Sequence, residues 1–75
     1  MSFEQVVANA LEIEVERISD DITPEDIETW DSLGHLTLIT AIEKAFSIKL
    51  NMKEVQSIDS LGKLRALVER YGAPS

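Results

Sequence analysis

An all-α fold, a four-helix bundle with three longer helices and one short third helix, is predicted by three observations. Apolar residues return at three- and four-residue steps through most of the chain. No run of residues reads as a strand, and helix-start and helix-stop residues punctuate the periodic stretches. The 75 residues, 1–75, read as a single domain near the lower limit for a self-sustaining core. With no cysteine, a disulfide framework and a thiolate metal site are both excluded, so stability must come from packed Leu, Ile and Val.

The first helix is expected from Ser2 to about Arg17, with Phe3, Val6, Val7, Ala10 and Ile13 as its apolar stripe. Ser2 followed by Gln5 has the spacing of a capping box. Residues 18–31 then form a long acidic loop, restrained by Pro24 and pinned to the core by Ile18, Ile22, Ile27 and Trp30. A second helix is expected over 32–46, with Asp31 as a favoured N-cap. Ser47 to Asn51 connects it, with Ile48 and Leu50 inward, to a short third helix over Met52 to Gln56. The fourth runs from about Ser60 to Tyr71 on a stripe of Leu61, Leu64, Leu67 and Val68, and Gly72 and Pro74 end it.

Charge narrows the function. The net charge is −7, unevenly placed: residues 1–31 hold ten acids against Arg17 alone, while residues 32–75 hold four acids and six bases. Such an acidic chain repels phosphate backbones, which argues against nucleic-acid binding, and suits partners with basic surfaces. No basic-plus-apolar leader and no apolar run of membrane-spanning length is present, so a cytoplasmic monomer without membrane insertion is the expectation. The loop acids Asp20, Asp21, Glu25, Asp26 and Glu28 lack the glycine and closing glutamate of a calcium loop, so no metal is expected there.

Asp31-Ser32-Leu33-Gly34-His35-Leu36 is the feature with chemical interest, and it has an echo in Asp59-Ser60-Leu61-Gly62-Lys63-Leu64. The repeat shows that the letters alone describe a good helix start. Ser60 is expected only to cap a helix. His35 is the chain's one histidine and lies one turn from Ser32 on the same helix, an odd place for a general base, and no orienting acid or oxyanion site is evident. Ser32 therefore reads as displayed rather than activated, a residue that another enzyme modifies. His35 is placed to neighbour a group carried there, and a phosphate would gain from the helix N-terminus.

Helical spacing places Leu36, Leu38, Ile39, Ala41, Ile42, Ala45 and Phe46 on one broad face, opposite Thr37, Thr40, Lys44 and Ser47. Leu33 falls in the polar arc, where it reads as an exposed docking leucine. Trp30 reads as an anchor for the loop. Met52 and Val55 read as lid or core residues of the short helix.

Trp30-Asp31-Ser32-Leu33, with a helix that closes on Ile42-Glu43-Lys44-Ala45-Phe46, resembles an acyl carrier protein, and the likeness extends over the whole chain. The resemblance implies that a phosphopantetheinyl transferase attaches 4′-phosphopantetheine from coenzyme A to Ser32, with Asp31 as the acid beside it. It implies a carrier rather than an enzyme, moving acyl groups as thioesters between acyl-loading and acyl-transferring enzymes of fatty acid, polyketide or related biosynthesis. Leu33, Leu36, Thr37, Thr40 and Glu43 would then meet partners, and Leu36, Ile39, Ile58 and Leu64 would line the acyl chain. Gly34, Thr37 and Lys44 stand where carriers of primary fatty-acid synthesis tend to have acids. The pattern is thus nearer to stand-alone carriers of dedicated pathways. A peptidyl or aryl carrier loaded by an adenylating enzyme shares this signature. An unmodified helical adaptor binding through Leu33 and Leu36 is the alternative of a different class.

Overall fold

The structure, a computed structural model, describes residues 2–72. Four α-helices follow one another: α1 (Phe3–Leu11), α2 (Ser32–Phe46), α3 (Met52–Ser57) and α4 (Leu61–Arg70), with a 3-10 turn at Val15–Arg17. No strand forms among the described residues. Pro74 lies outside them, so its expected role beyond α4 does too.

Helix α1 begins as its sequence directs. Ser2 caps the Gln5 amide and the Gln5 side chain returns to the Ser2 amide, a reciprocal capping box. It ends earlier than expected, at Leu11 rather than near Arg17. Glu12 takes the left-handed conformation at φ 58°, and its amide and that of Ile13 both close onto the Ala8 carbonyl. Two features of the sequence account for the early stop. Continuing the helix would stack Glu12 over Glu16 as a like-charged pair, and the last turn carries no base. The reversal instead lets Ile13 pack against the core.

The core is one cluster. Phe3, Val7 and Leu11 of α1 meet Leu38 and Ile42 of α2 and Leu61, Leu64 and Val68 of α4, all fully buried. Each such side chain contributes roughly 1.5–3 kcal/mol of transfer free energy before the chain entropy is counted. Ile27 and Trp30 are buried from the loop, with Ile18 and Ile22 half-buried beside them, so the loop is fastened as its apolar spacing predicts. Leu50 and Ile58, buried on either side of α3, do the same for the short helix, none of whose own residues is buried.

The long loop also builds the start of α4. The amides of Leu61 and Gly62 donate to the Ile22 and Asp20 carbonyls at 2.9 and 3.0 Å. Arg65 strengthens the same seam: it meets Glu4 at 2.5 Å and Asp20 at 3.0 Å and lies 4.6 Å above the Phe3 ring. These contacts tie α1, the loop and α4 together.

Candidate functional site

The two serines of the echoed hexapeptide both open a helix, but one position out of register. In α4 Ser60 is the N-cap, and its hydroxyl accepts the Lys63 amide at 3.2 Å. In α2 the N-cap is Asp31, whose carboxylate accepts the Gly34 amide at 2.8 Å, so Ser32 becomes the first helical residue. Its hydroxyl is exposed and has no hydrogen-bond partner among the described residues. The surrounding amides differ in the same way. The loop covers the first two of α4, whereas those of Ser32 and Leu33 have no partner among the described residues, which leaves an electropositive helix end beside the free hydroxyl.

Gly34 holds this register. A Cβ at that position would come within 1.9 Å of the Thr29 carbonyl oxygen, so the first turn of α2 lies directly against the loop. Thr29 is itself tied down, its hydroxyl donating to the Leu11 carbonyl.

His35 is hydrogen-bonded through both ring nitrogens. The Trp30 indole N–H donates to Nδ1 at 2.9 Å, which requires that Nδ1 carry no proton. The neutral ring is then protonated at Nε2, and that nitrogen donates to the Val55 carbonyl at 2.9 Å. The two rings lie nearly parallel, 12° apart, with centroids at 6.1 Å. Both ring nitrogens of His35 thus have partners within the chain, while the ring lines the same groove as Asp31 and Ser32.

Beside Ser32 an open groove of about 600 Å³ runs between the start of α2 and α3. Its walls are largely apolar: Pro24, Trp30 and Leu36 on one side, Met52, Val55 and Ile58 on the other, with Ser32 and Asp31 at the rim. A shallower depression of about 420 Å³ follows α2 along Leu36, Thr37, Thr40, Ala41 and Lys44, so Leu36 borders both.

The expected site residues divide into groups. Leu33 is 73% exposed, as its place in the polar arc predicts, and Thr37 and Thr40 share its exposed side. Leu36 was expected on the core face and is instead 60% exposed, because α3 leaves the groove open in front of it; Ala45 is exposed as well. Ile58 and Leu36 border the groove, whereas Ile39 and Leu64 are sealed in the core and reach neither depression. Glu43 is half-buried and accepts the Leu50 amide at 2.8 Å through one carboxylate oxygen. Pro24 and Gln56 join the groove without any sequence signal for it. Met52, 71% exposed on a helix start, is the residue whose lone apolar character could have indicated an open wall.

The phosphopantetheine attachment site family matches residues 3–68 of the chain. The chain belongs to this family. Among solved structures the carrier is similar to a solution NMR structure of the holo acyl carrier protein from Geobacter metallireducens, with a TM-score of 0.82 and 26% identity. That match covers 91% of this chain and 78% of the other. No curated protein matches the chain significantly.

The protein is therefore a carrier of the phosphopantetheine-binding type, a substrate of phosphopantetheinyl transferase rather than an enzyme. Its prosthetic group is 4′-phosphopantetheine. The residues present fit such a group: a free hydroxyl, two open amides for a phosphodiester, and an apolar groove alongside. When attached, the arm supplies the thiol that this cysteine-free chain lacks. No helix among the described residues is long and apolar enough to cross a membrane.

Proposed function

We propose that Ser32 bears the phosphopantetheine arm and that the carrier delivers acyl thioesters from it to partner biosynthetic enzymes. One observation carries the assignment. Of the two serines in matching hexapeptides, Ser60 is engaged as a cap and Ser32 is exposed and unengaged at the rim of a groove. The open amides of Ser32 and Leu33 favour a phosphodiester there, and Asp31 opposes it only weakly because its carboxylate is directed to the Gly34 amide.

The apolar walls of the groove favour an acyl chain over a charged aminoacyl cargo, with Leu36 and Ile58 bordering it. Leu33, Leu36, Thr37 and Thr40 offer partners an exposed, uncharged strip. Glu43 would join it through the carboxylate oxygen that does not hold the Leu50 amide. The chain works as a monomer in the cytoplasm on this reading.

Incubation with coenzyme A, magnesium and a broad-specificity transferase should add one phosphopantetheine mass. Ser32→Ala should abolish the gain and Ser60→Ala should leave it intact; a gain that survives Ser32→Ala would sink the assignment. Association with an adenylating enzyme rather than an acyltransferase or ketosynthase would favour the peptidyl or aryl carrier over the acyl carrier.

A further inference from the structure

Helix α3 forms one wall of the groove, yet it has little of its own to hold it. Its six residues include none that is fully buried, Val55 alone packs partly against the core, and its capping box of Asn51 and Glu54 is local to it. Among the described residues two side chains from outside hydrogen-bond to it. Tyr71 donates to the Glu54 carboxylate at 2.6 Å on the exposed side, and His35 donates to the Val55 carbonyl on the groove side. Only the second lies between α3 and the segment that carries Ser32.

The His35 contact is a relay rather than a single bond. The Trp30 indole is 3% exposed and fixed in the core, and its N–H leaves Nδ1 no role but acceptor. That places the remaining ring proton of the neutral imidazole on Nε2, which donates to the Val55 carbonyl at 2.9 Å. The core tryptophan therefore dictates the tautomer, and the tautomer dictates where α3 is held.

We propose that His35 is a positioning residue: its Nε2-protonated ring, oriented by Trp30, holds the Val55 carbonyl and so sets the width of the groove beside Ser32. That the groove receives cargo rests on the carrier reading above; that His35 holds α3 does not.

The test has two arms. In apo protein, nitrogen NMR of the imidazole should report a neutral ring protonated at Nε2, and amide exchange should be followed along the chain. His35→Ala should speed exchange of the Val55, Gln56 and Ile58 amides by about tenfold relative to those of α1 and α4, the loss of one hydrogen bond. Trp30→Phe, which removes the donor and keeps a ring, should give the same pattern and scramble the tautomer. Tyr71→Phe should leave the tautomer unchanged, and His35→Gln should restore part of the protection. A ring protonated at Nδ1, or α3 amides that exchange no faster than those of α1 in His35→Ala, would overturn the proposal. If Trp30→Phe does not fold, the wild-type tautomer and the His35→Ala exchange decide it alone.

In the second arm an octanoyl thioester is loaded on the arm of the wild type and of His35→Ala. The octanoyl-induced shifts at Leu36 and Val55 should shrink by at least half in the variant. Unchanged shifts would remove the groove-width claim. Failure to load at all is a failure of the attachment reading and leaves the first arm to stand or fall separately.

Discussion

The α-carbon of Gly34 faces the Thr29 carbonyl so closely that a Cβ there would come within 1.9 Å of its oxygen. Backbone, not a flexible side chain, occupies that space. Gly34→Ala should therefore destabilise the fold by about 1–3 kcal/mol despite alanine's better helix propensity. In a domain of this size that lowers the melting temperature by several degrees. Gly62 is the control, since its Cβ would meet Asp20 at 3.0 Å, a contact that a small shift relieves. Equal losses at the two glycines in thermal unfolding would contradict this account.

Asp31 acts on stability as a cap rather than as a charge. Its carboxylate accepts the Gly34 amide at 2.8 Å. Asp31→Asn keeps an acceptor there and should change stability little, whereas Asp31→Ala should cost about 1 kcal/mol. Denaturant titration of the three proteins separates these outcomes, and similar losses in both variants would point to charge instead.

The Glu4–Arg65 contact should appear in the acid limb of the stability curve. A hydrogen bond from the Arg65 guanidinium holds the Glu4 carboxyl below its usual value, assisted by a backbone N–H. A depressed carboxyl contributes stability above its unfolded value, about 4.3, and loses it as pH falls through the lower folded value. Because the Glu4 side chain is 36% exposed, solvent screening keeps the effect modest. Glu4→Gln should flatten the fall in melting temperature below about pH 4.3 while leaving the slope at neutral pH unchanged. An identical acid limb in the variant would count against the pair.

Glu12 and Ser47 end α1 and α2 in the left-handed conformation, at φ 58° and 55°. A Cβ is unfavourable there and glycine is not. Glu12→Gly and Ser47→Gly should each raise stability by about 1 kcal/mol, and because the sites are at different helix ends the gains should add. Calorimetry of the single and double variants checks both statements. A loss on either substitution would mean that the side chain contributes more than the strain it imposes.

Much of this architecture was legible in the residues. Local signals placed the helix bounds of α2 at Ser32 and Phe46, made Ser2 and Gln5 a capping box, and marked Ile27 and Trp30 as loop anchors, because caps and spacing act within a turn or two of themselves. The end of α1 is not legible in the same way: apolar spacing continues through Ile13, while the repulsion between Glu12 and Glu16 and the pull of the core on Ile13 favour a stop at Leu11.

By itself the sequence determined an acidic, cysteine-free helical chain with a serine at a helix start, and it placed Leu33 on the exposed side. It set Ser32 apart from Ser60 only through the leucine that follows each, Leu33 in a polar arc and Leu61 on a core stripe, since both serines follow aspartate and precede Leu-Gly. Which hydroxyl is engaged and which is free belongs to the tertiary structure. The loop carbonyls of Asp20 and Ile22 take the first amides of α4 and leave Ser60 to cap the third, whereas Thr29 packs on Gly34 and leaves Asp31 to cap α2. The role of His35 was equally out of reach, because the carbonyl it holds lies 20 residues along the chain. Neighbours in space, not in sequence, decide which hydroxyl is free and which ring nitrogen carries the proton.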